Sequence, residues 1–203
     1  MRNKVIAGFV ALLLAFGGGF YAGHVQFPPT TDVDPQVYFD TIFTPFENGT
    51  DAYLQWLDQH AHKSLYVADY TFTNERIAEK YIELKTKRGT DLHVLLDLSE
   101  SRAVAAEQPL IERMRAAGIE VVIGTSPTKG KIMHNKFSIA DMLWVEDGSW
   151  NYTDPADDQA NTLNMNKVPS PLRAGRFKHT WDQLHDFMKQ QQDRRETRSH
   201  SRH

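Results

Sequence analysis

Six residues at fixed offsets carry the chemistry of this chain: His134, Lys136, Asp141, Gly148, Ser149 and Asn151. They read H-x-K, then D after four residues, then G-S-x-N after six more. An imidazole, a fixed cation and two small hydrogen-bond donors are suited to a phosphodiester. Such a substrate is anionic and repels nucleophiles. A site that cleaves it must neutralise the non-bridging oxygens, supply an attacking atom and protonate the leaving oxygen. Lys136 offers a point charge, Asn151 an amide and Ser149 a hydroxyl. Gly148 lets backbone approach the phosphate closely. A nitrogen of His134 can attack phosphorus and form a phosphohistidine without a metal. A second imidazole must then protonate the leaving group. The chain holds one such motif, so a second His134 from a twofold-related copy is expected to supply it. Asp141 lies near the end of the motif strand, too far along it to orient His134 directly.

This pattern resembles the catalytic motif of the phospholipase D superfamily. The resemblance runs from about Tyr38 to Met188. It includes Tyr70-Thr71-Phe72-Thr73, Lys87-Arg88-Gly89, the Met133–Phe137 core and the run from Gly148 to Thr153. With a single motif, the chain looks like the short branch typified by small bacterial endonucleases. The resemblance implies a homodimer with a shared active site, no cofactor and no metal. It also implies His134, Lys136, Asp141, Ser149 and Asn151 as site residues, with Lys136, Gly148, Ser149 and Asn151 on the phosphate. Family endonucleases place a glutamate in an Asn-x-Glu-Asn run, where it can hold the histidine ring. Here Asn161-Thr162-Leu163-Asn164 stands near that place, so Leu163 replaces the acid. Asp157 or Asp158 is a candidate substitute. Met142 occupies a turn position where glycine is frequent, and Asp147 adds a negative charge beside Gly148.

The elements that must position this motif alternate between strand and helix. Tyr38–Pro45, Ser64–Thr71, Leu92–Leu98 and Ile119–Ile123 have strand composition. Ala52–Ala61, a segment capped by Thr73 and ending at Gly89, and Pro109–Ala117 have helical periodicity. Ile132–Ala140 is expected as a strand with His134, Lys136 and Ser138 on one face. Leu143–Glu146 returns antiparallel to it, and Asn161–Val168 adds a last strand. Phe177, Trp181, Leu184 and Met188 form the buried stripe of a closing helix. The fold class is therefore α/β, a mixed β-sheet flanked by helices on both faces and preceded by an N-terminal apolar segment.

Composition bounds the rest. With 23 basic and 26 acidic residues, global charge gives no support for nucleic-acid binding, so phosphate affinity must be local. The absence of cysteine removes disulfides, thiolate metal sites and a thiol nucleophile. Residues 1–25 read as a signal peptide or a membrane anchor: Arg2 and Lys4 precede the uncharged stretch from Val5 to Ala22. The positive flank implies an exported or outward-facing domain. Residues 26–37 read as a linker, 38–189 as the phosphodiesterase domain and 190–203 as a disordered polar tail. His60-Ala61-His62 lacks an acidic cluster at ligand spacing and reads as a solvated face. Lys129 and Lys131 could lead a phosphate backbone toward His134 or decorate a loop. The expected substrate is DNA or RNA. A phospholipid headgroup and a catalytically weakened nucleic-acid binder are the alternatives.

Overall fold

The computed structural model describes residues 38–200. The expected signal or anchor and its linker fall outside the described residues. Seven strands form one sheet in the order β1-β7-β6-β5-β2-β3-β4. They are β1 (Phe39–Thr44), β2 (Ser64–Asp69), β3 (Asp91–Asp97), β4 (Glu120–Gly124), β5 (Phe137–Ala140), β6 (Trp144–Gly148) and β7 (Asn161–Asn166). β2, β3 and β4 run parallel, and the remaining neighbours are antiparallel. The mixed sheet expected from the alternation is therefore present.

One face is covered by α1 (Gly49–His60), α2 (Glu75–Glu83) and α4 (Glu107–Ala116). Tyr53, Leu57, Ile77, Tyr81, Ile111 and Met114 pack there against Leu65, Val67, Val94 and Leu96. The short α3 (Leu98–Ala103) follows β3 directly, with Asp97 as its N-cap. The other face is covered by α5 (Pro171–His200), whose Trp181, Leu184 and Met188 pack on Ala68, Leu95, Val122, Phe137 and Ile139. Adjacent sheet residues alternate between these two cores, as the period of a strand requires.

Three expectations change. The motif strand is shorter than expected. Only Phe137–Ala140 enters the ladder, because the Met133 N–H bonds to Asp97 Oδ2 at 2.7 Å rather than to a neighbouring strand. α2 is capped by Asn74, whose side chain accepts from Ile77 N, while Thr73 N donates to the Tyr152 carbonyl. The polar stretch from 190 onward, expected to be disordered, continues α5 to His200. β4 is an edge strand with free backbone groups. Gln192 Oε1 accepts from Ile123 N, Gln191 Oε1 accepts from Thr125 N, and Arg195 donates to the Ile123 carbonyl. An i,i+4 pair, Lys189–Asp193, adds local support.

Candidate active site

His134, Lys136 and the Gly148–Asn151 turn gather where β2, β3 and β6 end and β5 begins. In open α/β sheets this carboxyl edge is where ligands bind. His134 is exposed, and its ring meets Tyr70 edge-on with centroids 4.6 Å apart. Lys136 is buried; its Nζ donates to the His134 carbonyl at 3.1 Å and lies 5.0 Å from the Tyr70 ring centroid. Tyr70 thus forms a wall shared by the imidazole and the ammonium. Its hydroxyl donates to Glu100 Oε1 at 2.8 Å, and that carboxylate pushes the phenol up to about 12. Asp97 caps α3 and binds Met133 N, so one buried carboxylate fixes the backbone immediately before His134.

The Gly148–Tyr152 segment faces this group from β6. Gly148 is required by its neighbour: an added Cβ would lie 2.0 Å from the Thr162 carbonyl oxygen. Ser149 Oγ donates to Asn161 Oδ1 at 3.2 Å and accepts from Thr162 N at 3.1 Å. Asn151 Oδ1 is buried with no hydrogen-bond partner in the described chain. Tyr152 ties the segment down: its N–H donates to Asp69 Oδ2 at 3.0 Å, and its carbonyl accepts from Thr73 N and Asn74 N.

Electrostatics favour a nucleophilic imidazole. Burial lowers the His134 pKa, and Lys136 lowers it further against the opposing pull of Asp97. Both effects favour the neutral ring, whose lone pair can attack. Burial also lowers Lys136, and the carboxylate of Asp69 opposes that shift.

Asp141 is not part of this group. It sits at the opposite end of β5, where its Oδ1 accepts from His62 N, Lys63 N and Ser64 N at 3.1, 2.7 and 3.0 Å. Asp141 and Met142 both have left-handed backbone, φ 51° and 57°, in the turn between β5 and β6. These three bonds hold a turn that glycine would make easily. Its support is thus to the fold, a full strand length from the imidazole.

Neither candidate acid substitutes for the one absent at Leu163. Asp157 accepts from Thr50 N and Trp150 Nε1, and Asp158 is exposed. Leu163 is buried in the main core opposite Gly148. Among the described residues neither ring nitrogen of His134 has a hydrogen-bond partner. The negative charge of Asp147 is answered by Arg173 at 2.7 Å. His60 stacks on Trp144 at 3.8 Å, and His62 Nε2 meets the Gln59 carbonyl. Among the described residues no cluster of three metal-binding side chains forms. Lys129 and Lys131 are exposed on the loop before the motif.

Asp69, which sequence alone gives as structural or solvated, and Asp97 both stand beside the motif. A signal existed: SLYVAD and DLHVLLD are apolar strands that each end on an aspartate. A carboxylate at the carboxyl end of a buried parallel strand faces the crevice or caps the next helix.

Residues 57–171 match the family model described as the PLD-like domain of cardiolipin synthase. The chain belongs to the phospholipase D superfamily. It is 29% identical over 129 residues to a mitochondrial cardiolipin hydrolase of Chlamydomonas reinhardtii, covering 64% of this chain and 54% of that protein. It is 30% identical over 141 residues to a phospholipase D of Rickettsia typhi, covering 70% and 65%. The chain thus spans between half and two thirds of these curated relatives. The fold is that of Nuc, a phospholipase D family member from Salmonella typhimurium, with a TM-score of 0.65 at 24% identity over 71% of this chain and 91% of that one. NucT from Helicobacter pylori gives 0.63 at 17% identity over 73% and 95%. His134, Lys136, Ser149 and Asn151 all lie within the matched stretch.

Proposed function

We propose that the protein is a metal-independent phosphodiesterase working through a phosphohistidine, with nucleic acid as its substrate. The observation that carries this reading is the pairing of an exposed, neutral-biased His134 with the buried cation of Lys136 at the open sheet edge. Lys136, Ser149 and Asn151 would neutralise the non-bridging oxygens. A ring nitrogen of His134 would attack phosphorus, and the bond to the leaving oxygen would break. The second His134 of a homodimer would give that oxygen its proton. It would then take one from water, whose oxygen displaces the first imidazole. The dimer is part of the proposal, because one chain brings one imidazole to the edge. The unscreened position of His134 suits a long polymer, and Lys129 and Lys131 stand on the approach. An N-terminal export signal or anchor would set this chemistry outside the cytoplasm.

One observation favours a second substrate. A groove of about 590 Å³ beside Asn135 is lined by Phe137, Leu172, Arg173, Arg176 and Phe177. Leu172 is 80% exposed. Apolar and guanidinium groups side by side fit a phospholipid, and the curated relatives above are named for lipid hydrolysis. The test is incubation of the full chain and its His134→Ala variant in excess EDTA, with plasmid DNA and separately with cardiolipin and phosphatidylcholine vesicles. DNA cleavage by the parent alone supports the nuclease reading. Headgroup or phosphatidic acid release with intact DNA replaces it with the lipid reading. A folded dimer active on neither substrate overturns both.

A further inference from the structure

The last strand of this chain has no acid for the site, yet a buried carboxylate reaches it from elsewhere. β2 and β5 are antiparallel, with Leu65 opposite Ala140 and Ala68 opposite Phe137. One step further along that register places Asp69 opposite Lys136, at the edge where the motif gathers. Directly opposed residues in such a pair have Cβ atoms about 5 Å apart. Asp69 is fully buried. Its Oδ2 accepts from Tyr152 N at 3.0 Å, and its Oδ1 has no hydrogen-bond partner. Lys136 is also buried, and its ammonium uses one donor on the His134 carbonyl. An ammonium has three donors, and a buried charge without a counter-charge is costly.

We infer that Asp69 is a positioning residue for the site: from the end of β2 it is the charge partner of Lys136 and the anchor of the Asn151–Tyr152 backbone. One carboxylate then fixes the cation and the amide that must meet the phosphate together. The other ionisable groups nearby are already engaged. His134 lies on the same segment and is held against Tyr70. Tyr70 is committed to Glu100, and Asp97 to Met133 and α3. From β6, Glu146 accepts from Tyr152 Oη at 2.6 Å, and Tyr53 and Tyr81 join that hydroxyl network from α1 and α2. Of these groups Asp69 is the one that opposes the lowering of the Lys136 pKa by burial. Burial holds the Asp69 carboxyl well above the ordinary carboxylate range, against the opposing pull of the Tyr152 N–H and the ammonium.

The decisive measurement does not depend on turnover. The full chain is labelled with ¹³C at lysine Cε, and the Lys136 resonance is assigned by its loss in Lys136→Arg. It is then titrated in the parent and in Asp69→Asn, which keeps an acceptor for Tyr152 N. The expected result is a Lys136 midpoint lower by about one pH unit or more in the variant, the effect of losing an opposite charge at close range. Asp69→Ser, smaller and also neutral, gives the same test should the asparagine chain not fold. An unchanged midpoint in a folded variant overturns the inference. A kinetic arm rests on the phosphodiesterase reading: the alkaline limb of kcat against pH, on plasmid or vesicles, should move down with the Lys136 midpoint. A limb that stays in place while the resonance moves would confine Asp69 to the fold and refute the positioning role. If the parent hydrolyses nothing, the functional reading fails while the resonance still decides the pairing.

Discussion

Replacing Glu146 by glutamine should make the protein more stable at alkaline pH and leave it unchanged in acid. Glu146 lies on β6, fully buried. Its Oε2 accepts from the Tyr152 hydroxyl at 2.6 Å, and its Oε1 has no hydrogen-bond partner among the described residues. Burial raises its pKa from 4.5 to about 8; Asp147 adds to the rise, while Tyr152 and Arg173 oppose it. In the unfolded chain the carboxyl ionises near its usual value. Between those two pH values the folded state holds a proton that the unfolded state has released. Stability contributed by this proton is therefore complete in acid, falls as pH rises through the window and levels off above about 8. At about 1.4 kcal/mol per pH unit, the whole window amounts to about 5 kcal/mol. Glutamine has the shape of the protonated acid and no proton to lose. Urea unfolding of the full chain and of Glu146→Gln, at pH 4.5, 6.5 and 8.5, measures the difference. The two should coincide at the lowest pH and separate by several kcal/mol at the highest, on the order of the linkage above. Glu107, raised by burial to about 7, is present in both chains and cancels in the comparison. A difference independent of pH would refute the reasoning, because it would mean that Glu146 is ionised in the folded state.

Four further outcomes are expected. His134→Ala should abolish phosphodiester cleavage while shifting the unfolding midpoint little, since the ring is exposed and held by one aromatic contact; retained activity would remove the nucleophile. The acid limb of kcat/KM should lie below pH 6.5, because burial and Lys136 lower the His134 pKa and the protonated ring cannot attack; a midpoint above 6.5 in the pH–rate profile would contradict this. Asp141→Ala should cost about 3 kcal/mol, through the loss of three backbone donors to one carboxylate oxygen, and leave kcat of the folded protein unchanged. A fall in kcat without loss of stability would return Asp141 to the site. Gly148→Ala should destabilise by about 3 kcal/mol or more in thermal unfolding, because its Cβ would meet the Thr162 carbonyl at 2.0 Å and neither backbone can yield cheaply.

What could be read in advance divides along a physical line. His134, Lys136, Ser149 and Asn151 are close in sequence, and their spacing through one hairpin nearly fixes their spacing in space. The apolar runs of β2, β3 and β4 and the stripe on α5 announce burial directly, because the period of an element is local. The buried carboxylates are different. Asp69, Asp97 and Glu146 act on Lys136, Met133 and Tyr152, partners supplied by other strands or by the loop beyond β6. A composition of ordinary charge gives no hint of which acids will be taken out of water. The C-terminal stretch misled for a related reason: it has few apolar residues to bury, so it reads as solvated. Its order comes from Gln191, Gln192 and Arg195 meeting the open edge of β4. An unpaired strand edge is a demand created by the sheet, and it is met by amides and a guanidinium that no hydrophobic pattern reveals. The same argument bears on the site. Leu163 is apolar because it faces the core beneath Gly148, so restoring an acid there would bury a charge among the residues that support the Gly-Ser turn. The carboxylate at the end of β2 accepts instead from a backbone N–H, that of Tyr152, and by our inference answers the charge of Lys136. With no acid on β7, the inferred pairing from β2 answers the burial of Lys136 and leaves the His134 ring without a carboxylate partner among the described residues.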